Sequence, residues 1–326
     1  MVTAYEEFIK NCQHLKEISN GAVDIAANGY NIKDTALSIF SRYSKAYDVQ
    51  PIDDEEYSIL SSIKNYGILY AKPATIKGRC IDGNSWYCSI MKDPKLYVPL
   101  GNPEYKTLLE IDEKVPYGLY RADIIGHDER LFLINPKKWY TYIDIKEALH
   151  RGYAVSLVCD GNCNHVYYSS QNRETGHYLF RGFVDLLYSL KKKNPLVKRI
   201  LNMLWGALCQ RIKYYEDGKQ SEEVDLGNDF SFLDTAEDTD DIDVFIKAKK
   251  YKLGWARCGV FITAMGRKKL ADYIEDIVDD VYRIHTDGFY TTSMKQFNLT
   301  AELGGFKIED EGTFTIESIN KIVKRF

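Results

Sequence analysis

Two acidic residues stand where short rigid elements would hold a carboxylate at a turn. Asp287 lies in Val281-Tyr-Arg-Ile-His-Thr-Asp-Gly-Phe-Tyr-Thr-Thr292, where runs rich in β-branched and aromatic residues, Val281–Ile284 and Phe289–Thr292, flank His285-Thr286-Asp287-Gly288. Gly288 takes positive φ at little cost, so the segment predicts a tight β-hairpin with Asp287 beside its tip. Asp82 ends a short strand-like run and precedes turn-prone Gly83-Asn84-Ser85 and a helix start. An acid at the C-terminal end of a strand, with free backbone N–H groups just beyond it, suits a metal carrying phosphate oxygens. A third group shares one predicted helix: Lys198, Asn202, Trp205 and Gly206 fall at i, i+4, i+7 and i+8, on one face. A cation, an amide, an aromatic ring and the gap left by a glycine make a surface suited to a triphosphate and a base. Taken singly, each feature also fits a plain structural role: a surface turn, a helix cap, a solvated lysine beside a packed tryptophan.

The elements that must position these groups read as α+β. Helical spacing predicts helices over Glu6–Ile18 and Asp34–Tyr43, with Asn31 or Asp34 as a cap, and over Glu55–Tyr66. Residues 92–180 read as mainly β, with strands over Gly118–Ile125, Leu131–Ile134 and Gly152–Val158 and a helix over Asp144–Arg151. That stretch is too long for a loop and too short for an independent enzyme domain, so it reads as an insertion. A helix over His177–Lys193 stops at Asn194-Pro195, a favoured N-cap followed by a favoured first helical residue. Lys247–Lys252 predicts a strand, and Gly259–Val278 a long helix.

The chain has 326 residues, 45% hydrophobic and 28% charged, with 25 Tyr and a net charge of −4. These values describe a soluble globular protein and give no global sign of nucleic-acid binding, although a local basic groove fits within them. Seven scattered Cys, no signal peptide and no 18-residue apolar span predict reduced thiols, no membrane and a cytoplasmic location. Cys159-x3-Cys163-x-His165 lacks a fourth zinc ligand and predicts a loop with buried thiols. The acidic run Asp234–Asp243 lacks the glycine and terminal glutamate of a calcium loop and predicts a solvated insertion.

In order, these segments resemble the motifs of family B DNA polymerases, especially the protein-primed viral and plasmid branch. Asp82-Gly-Asn-Ser85-Trp86-Tyr87-Cys88 is similar to that family's first palm motif, Asp-x-x-Ser-Leu-Tyr-Pro. Lys198-x3-Asn202-Met-Leu-Trp205-Gly206 resembles the fingers motif, with Met203 for Ser and Trp205 for Tyr. Thr263-x2-Gly266-Arg267 resembles Thr-x2-Gly-Arg, and His285-Thr286-Asp287-Gly288 the second palm motif, Asp-Thr-Asp-Ser. Leu303-Gly304-x2-Lys307-x-Glu309 looks like the segment after it.

The resemblance implies a polymerase palm with an antiparallel sheet and flanking helices, plus helical fingers and a β-rich insertion. The division it suggests is an N-terminal helical segment (1–70), palm (71–91), insertion (92–180), fingers with an acidic loop (181–253) and palm again (254–326). It implies template-directed DNA synthesis, with Asp82 and Asp287 bridging two Mg²⁺ (or Mn²⁺) ions and Lys198 neutralising phosphate charge. Ser85, Tyr87, Asn202, Trp205 and Gly206 would face the dNTP, with the Tyr87 ring under the sugar. Thr263, Gly266 and Arg267, with Lys268 and Lys269, would contact the DNA backbone, and Lys307 the primer terminus. The implied partners are primer–template DNA, dNTP, a terminal-protein primer, and a partner chain supplying a thumb or exonuclease.

Some features depart from the pattern. His285 replaces an acid, so metal affinity should fall and activity should drop below about pH 6.5, the ordinary His value. Gly288 replaces Ser. Residues 1–48 leave no room for an exonuclease and the chain stops where a thumb would begin, which fits a compact polymerase, a fragment or one half of a split protein. The alternatives are a catalytically degenerate polymerase-like subunit that binds nucleic acid or assists assembly, and a nucleotidyltransferase that primes on a protein hydroxyl.

Overall fold

The computed structural model describes residues 3–45, 49–214, 247–297 and 299–325. The chain opens with α1 (Ala4–Ile18), α2 (Ile32–Tyr43) and α3 (Asp54–Ser62). Each starts on a side-chain cap: Thr3 with Glu6 in a reciprocal box, Asn31 accepting from the N–H groups of Lys33 and Asp34, and Asp53 accepting from Glu56. α3 stops a turn before the predicted Tyr66, because the carbonyls of Lys64 and Tyr66 accept from the Arg267 guanidinium instead of from a helix.

Next come β1 (Ile68–Ala71), β2 (Ala74–Gly83) and α4 (Trp86–Met91). The following stretch holds β3 (Tyr97–Pro99), β4 (Glu104–Lys106), β5 (Gly118–Ile125), β6 (Trp139–Thr141), α5 (Tyr142–His150), β7 (Ala154–Leu157), β8 (His165–Tyr167) and β9 (Arg173–Thr175). After α6 (Gly176–Leu190) and α7 (Leu196–Leu208) come β10 (Arg211–Tyr214), β11 (Lys247–Tyr251) and α8 (Arg257–Ile274). The last strands are β12 (Val281–Thr286), β13 (Gly288–Thr291), β14 (Phe306–Ile316) and β15 (Ile322–Arg325). Asn194 caps α7 as expected, its Oδ1 accepting from the Leu196 N–H. Leu131–Ile134 forms no strand; the N–H groups of Leu131 and Phe132 donate to the Asp128 carbonyl and close a turn. α8 ends at Ile274, and a 3₁₀ segment, Glu275–Asp280, replaces the last predicted helical turn.

The principal sheet has six strands in the order β1-β12-β13-β2-β14-β15. All its pairings are antiparallel, so alternate residues face opposite sides. One face buries Ile68, Ile81, Ile284, Phe289 and Phe306 in a cluster shared with Phe261, Leu270 and Ile274 of α8. Face-on burial of this kind is the main stabilising term. A smaller sheet, β4-β8-β5-β6 with β7 on β5, builds its own cluster around Tyr120, Phe132, Tyr140 and Ile145.

Two buried ion pairs tie distant segments together. Arg257 and Glu56 are fully buried; their side chains meet at 2.6 Å, and Arg257 also donates to the carbonyls of Gln50 and Pro51. The Tyr168 hydroxyl completes the set by donating to Glu56 at 2.6 Å. A buried charge is tolerated when every hydrogen-bonding site is used in this way. Asp144 divides its oxygens, one closing the capping box with Thr141 at the start of α5 and the other accepting from Arg267 on α8.

The Cys159 thiol is exposed, correcting the expectation of a buried one, and it donates to the Leu108 carbonyl; Cys163 donates to the His165 carbonyl. The His165 ring is buried and stacks on Tyr120 at 4.4 Å. The acidic run Asp234–Asp243 lies outside the described residues. Among those described, no helix is long and apolar enough to cross a membrane.

Candidate active site

β12 and β13 form the predicted hairpin, with Thr286 and Asp287 at its tip between the paired residues His285 and Gly288. The positive φ falls on Thr286, at +62°, and not on Gly288. A β-branched residue in that region is strained, and such strain persists only where neighbours enforce it. The Thr286 hydroxyl donates to the Asp287 carboxylate at 2.7 Å, fixing it on the turn. Gly288 serves another purpose. It pairs with Asp82 on β2, and a Cβ there would lie 3.2 Å from Asp82 Oδ1. The missing side chain leaves that oxygen uncovered.

Asp82 thus ends the central strand, with the hairpin on one side and Lys307 of β14 on the other. The Gly83 N–H donates to the Asp287 carbonyl at 3.2 Å, which joins the two acid-bearing segments. Burial raises the Asp82 carboxyl above its ordinary value and Glu309 adds to the rise, while Lys307, Lys198 and Lys191 oppose it. Burial lifts Asp287 to about 6; the Thr286 hydrogen bond opposes the rise, and the charges of Asp82 and Glu309 reinforce it. Carboxylates that oppose each other's ionisation are poised to take up positive charge.

Three lysines from separate elements act on Asp82. Lys307 Nζ lies 3.9 Å from its Oδ2 and 3.2 Å from Glu309. Lys198 is exposed on α7, on the face it shares with exposed Asn202 and half-buried Trp205; Gly206 behind them is buried. Lys191, just beyond the end of α6, has no counterpart in the sequence reading. Its Nζ donates to Asn84 Oδ1 and to Ser85 Oγ, both at 2.6 Å. The only sequence sign of it is the Lys191-Lys192-Lys193 run, which looks like a solvated helix end. Glu309 is likewise a site residue whose role the sequence did not show. The Tyr87 ring packs against Trp205 at 5.4 Å, joining the first palm segment to the α7 face.

The structure places Thr263, Gly266 and Arg267, the residues expected at the DNA backbone, in the interior. Thr263 is fully buried and its hydroxyl reaches Asn65 and the Gly259 carbonyl. Gly266 makes room for the first palm segment, since a Cβ there would lie 3.2 Å from Tyr87 and 3.3 Å from Trp86. Arg267 is buried with its guanidinium held by Asp144 and the Lys64 and Tyr66 carbonyls. Lys268 pairs with Glu147 and Asp272, and Lys269 with Asp93. In the structure the cations of this run are each paired with acids or backbone carbonyls.

The donor set fits hard divalent cations, with oxygen ligands on two rigid elements and one oxygen left open by Gly288. Among the described residues, no three His, Cys, Asp or Glu side chains stand close enough to enclose a metal by themselves. Water and substrate oxygens would have to complete any shell around Asp82 and Asp287.

Comparison with known proteins agrees with this layout. The structure superposes on Phi29 DNA polymerase complexed with single-stranded DNA with a TM-score of 0.63 at 16% identity, covering 100% of this chain. The Phi29 complex with primer–template DNA and incoming nucleotide gives 0.60 at 16% identity over 88% of this chain. The fold is that of Phi29 DNA polymerase, over the part of it that this chain covers. A protein named DNA polymerase from Kluyveromyces lactis is 25% identical over 199 residues, 53% of this chain. No family model matches. The chain spans 62% of the Phi29 polymerase in the first superposition and 20% of the Kluyveromyces protein. Within the polymerase fold, both acids expected from the motifs lie at neighbouring strand ends of the principal sheet.

Proposed function

We propose that this chain is the palm-and-fingers part of a DNA-directed DNA polymerase, joining dNMP units to a primer 3′ hydroxyl. The observation that carries the reading is the meeting of Asp82, near the end of β2, with Asp287 at the tip of the neighbouring hairpin, where Lys191, Lys198 and Lys307 act on Asp82. Two acids to hold cations and several lysines to receive a polyphosphate are what nucleotidyl transfer requires.

Asp82 and Asp287 would hold two Mg²⁺ (or Mn²⁺) ions. Bound there, such ions activate an attacking hydroxyl and stabilise charge on departing pyrophosphate. Lys198 on α7 and Lys191 at the end of α6 act on Asp82, where they would neutralise the triphosphate. Tyr87, half-buried between Trp205 and Gly266, offers a ring beside Asp287 against which a sugar could be measured. Lys307 would meet the primer end.

The test is Mg²⁺-dependent incorporation of labelled dNTP on a primed template, run beside Asp82→Asn and Asp287→Asn. Each variant should lose several orders of magnitude, while circular dichroism stays unchanged. Wild-type incorporation by either variant removes the assignment. DNA binding without incorporation by the unaltered chain would favour a polymerase-derived binding subunit.

A further inference from the structure

β14 does not pair regularly with β2. Lys307 faces Asp82 and Ile308 faces Ile81, but the next partner of β2, Cys80, meets Asp310, so Glu309 is an extra residue in a bulge. A bulge re-aims side chains and often stands beside a functional site. In a regular strand Glu309 would follow Ile308 by alternation and return to the Lys307 side one register step further from the acids, opposite Cys80. With the bulge it accepts from Lys307 Nζ at 3.2 Å, and its charge reaches both Asp82 and Asp287.

Lys307 therefore has two acids to choose from. Its Nζ is 3.2 Å from Glu309 and 3.9 Å from Asp82 Oδ2. A close lysine–carboxylate contact is about 2.8 Å, so Lys307 stands roughly 1 Å short of a direct pair with Asp82. A lysine seated on Asp82 would occupy the oxygens that a divalent cation needs and would lower the local negative charge. With His285 where an acid would add a further charge, the site has little to spare.

We propose that Glu309 is a positioning residue that tethers Lys307 away from Asp82 and keeps this carboxylate open to a divalent cation. The inference rests on the metal-binding reading of Asp82 and Asp287. In it, the bulge is the device that converts a competing internal cation into one held in reserve for a substrate anion. Glu309 acts through Lys307 and is not itself a ligand, in keeping with the lack of a three-acid cluster among the described residues.

The test is Mn²⁺ titration of the full chain, without nucleotide or DNA, with free Mn²⁺ followed by electron paramagnetic resonance. Glu309→Gln should weaken Mn²⁺ binding about two- to fivefold, the range for a partly exposed ion pair. Lys307→Met should bind at least as tightly as wild type, and adding Glu309→Gln to it should cost clearly less than it does in wild type, since the group being tethered is gone and only the direct reach of the Glu309 charge remains. Equal loss in both backgrounds would make Glu309 a direct contributor and overturn the tether. An unchanged affinity in Glu309→Gln, whatever its melting temperature, would overturn it as well. If wild type binds no Mn²⁺, or Asp82→Asn binds as wild type does, the metal reading itself falls and the tether with it. Only the first pair of failures leaves the metal reading standing.

Discussion

Replacing Asp287 with Asn should abolish activity and yet stabilise the metal-free protein at neutral pH. The carboxyl rises from 3.8 to about 6 in the folded chain, chiefly because it is buried. At about 1.36 kcal/mol per unit, ionised Asp287 costs the fold on the order of 3 kcal/mol. The sign follows from linkage: the folded state binds this proton more tightly than the unfolded state does. The protonated group's contribution is therefore complete below the unfolded value and lost as pH rises through about 6. Asn keeps the size and can still accept from the Thr286 hydroxyl, so the substitution removes the charge alone. Urea unfolding in chelator should find Asp287→Asn more stable by up to about 3 kcal/mol at pH 7.5, with the gap closing towards pH 4. Mg²⁺ should then raise the midpoint of wild type and leave the variant unmoved. A gap that does not change with pH, or a variant less stable at pH 7.5, would refute the electrostatic account of this site.

Other expectations follow from particular contacts. Tyr87→Val should raise the ratio of ribonucleotide to deoxynucleotide incorporation by roughly tenfold or more, measured in paired single-nucleotide assays; an unchanged ratio makes Tyr87 a packing residue only. Glu56→Gln leaves Arg257 buried without its anionic partner, and should cost about 3–5 kcal/mol in urea unfolding with little change in the affinity of surviving folded protein for Mn²⁺. His285→Asp should lower the Mg²⁺ concentration for half-maximal incorporation several-fold. The acid limb of the pH–activity profile should survive that change, because burial with Arg283 holds His285 below its ordinary value while Asp287 titrates near 6. Disappearance of the acid limb in His285→Asp would return the titration to His285.

Much of the scaffold is legible in the chain because local rules act there. Asn31, one of the two caps expected for α2, does start that helix, and the β-branched and aromatic runs around His285-Thr286-Asp287-Gly288 do pair as a hairpin. The two acids are also legible, since strand ends and a hairpin tip follow from residues within a few positions of each. What is not legible depends on partners far away in sequence. Nothing near Arg267 says that its charge is consumed by Asp144, more than a hundred residues earlier. The run of Arg267, Lys268 and Lys269 reads as a basic patch until the facing acids are known. Lys191 shows the reverse, since a lysine at an exposed-looking helix end is brought back onto Asn84 and Ser85 by the packing of α6 against α4. Gly288 is read correctly as special and wrongly as to why, because the turn strain sits on Thr286 and the glycine is needed for the room it leaves beside Asp82.

These cases share a pattern that bears on mechanism. Cations adjacent in sequence on α8 meet acids of α5, of α8 itself and of the turn after α4, and they lock the insertion to the long helix. Cations distant in sequence, on α7, β14 and the end of α6, converge on Asp82. The first set holds geometry, and the second remains available to a polyanion. The proposed function, in which the site binds a triphosphate and releases pyrophosphate at each cycle, would need the second set to be held loosely. Lys191 on neutral oxygens and Lys307 shared between Glu309 and Asp82 meet that requirement, since a polyphosphate can outcompete either arrangement. A fully buried pair such as Arg257 with Glu56 could not be exchanged in this way, because separating it would leave a charge unpaired in the core.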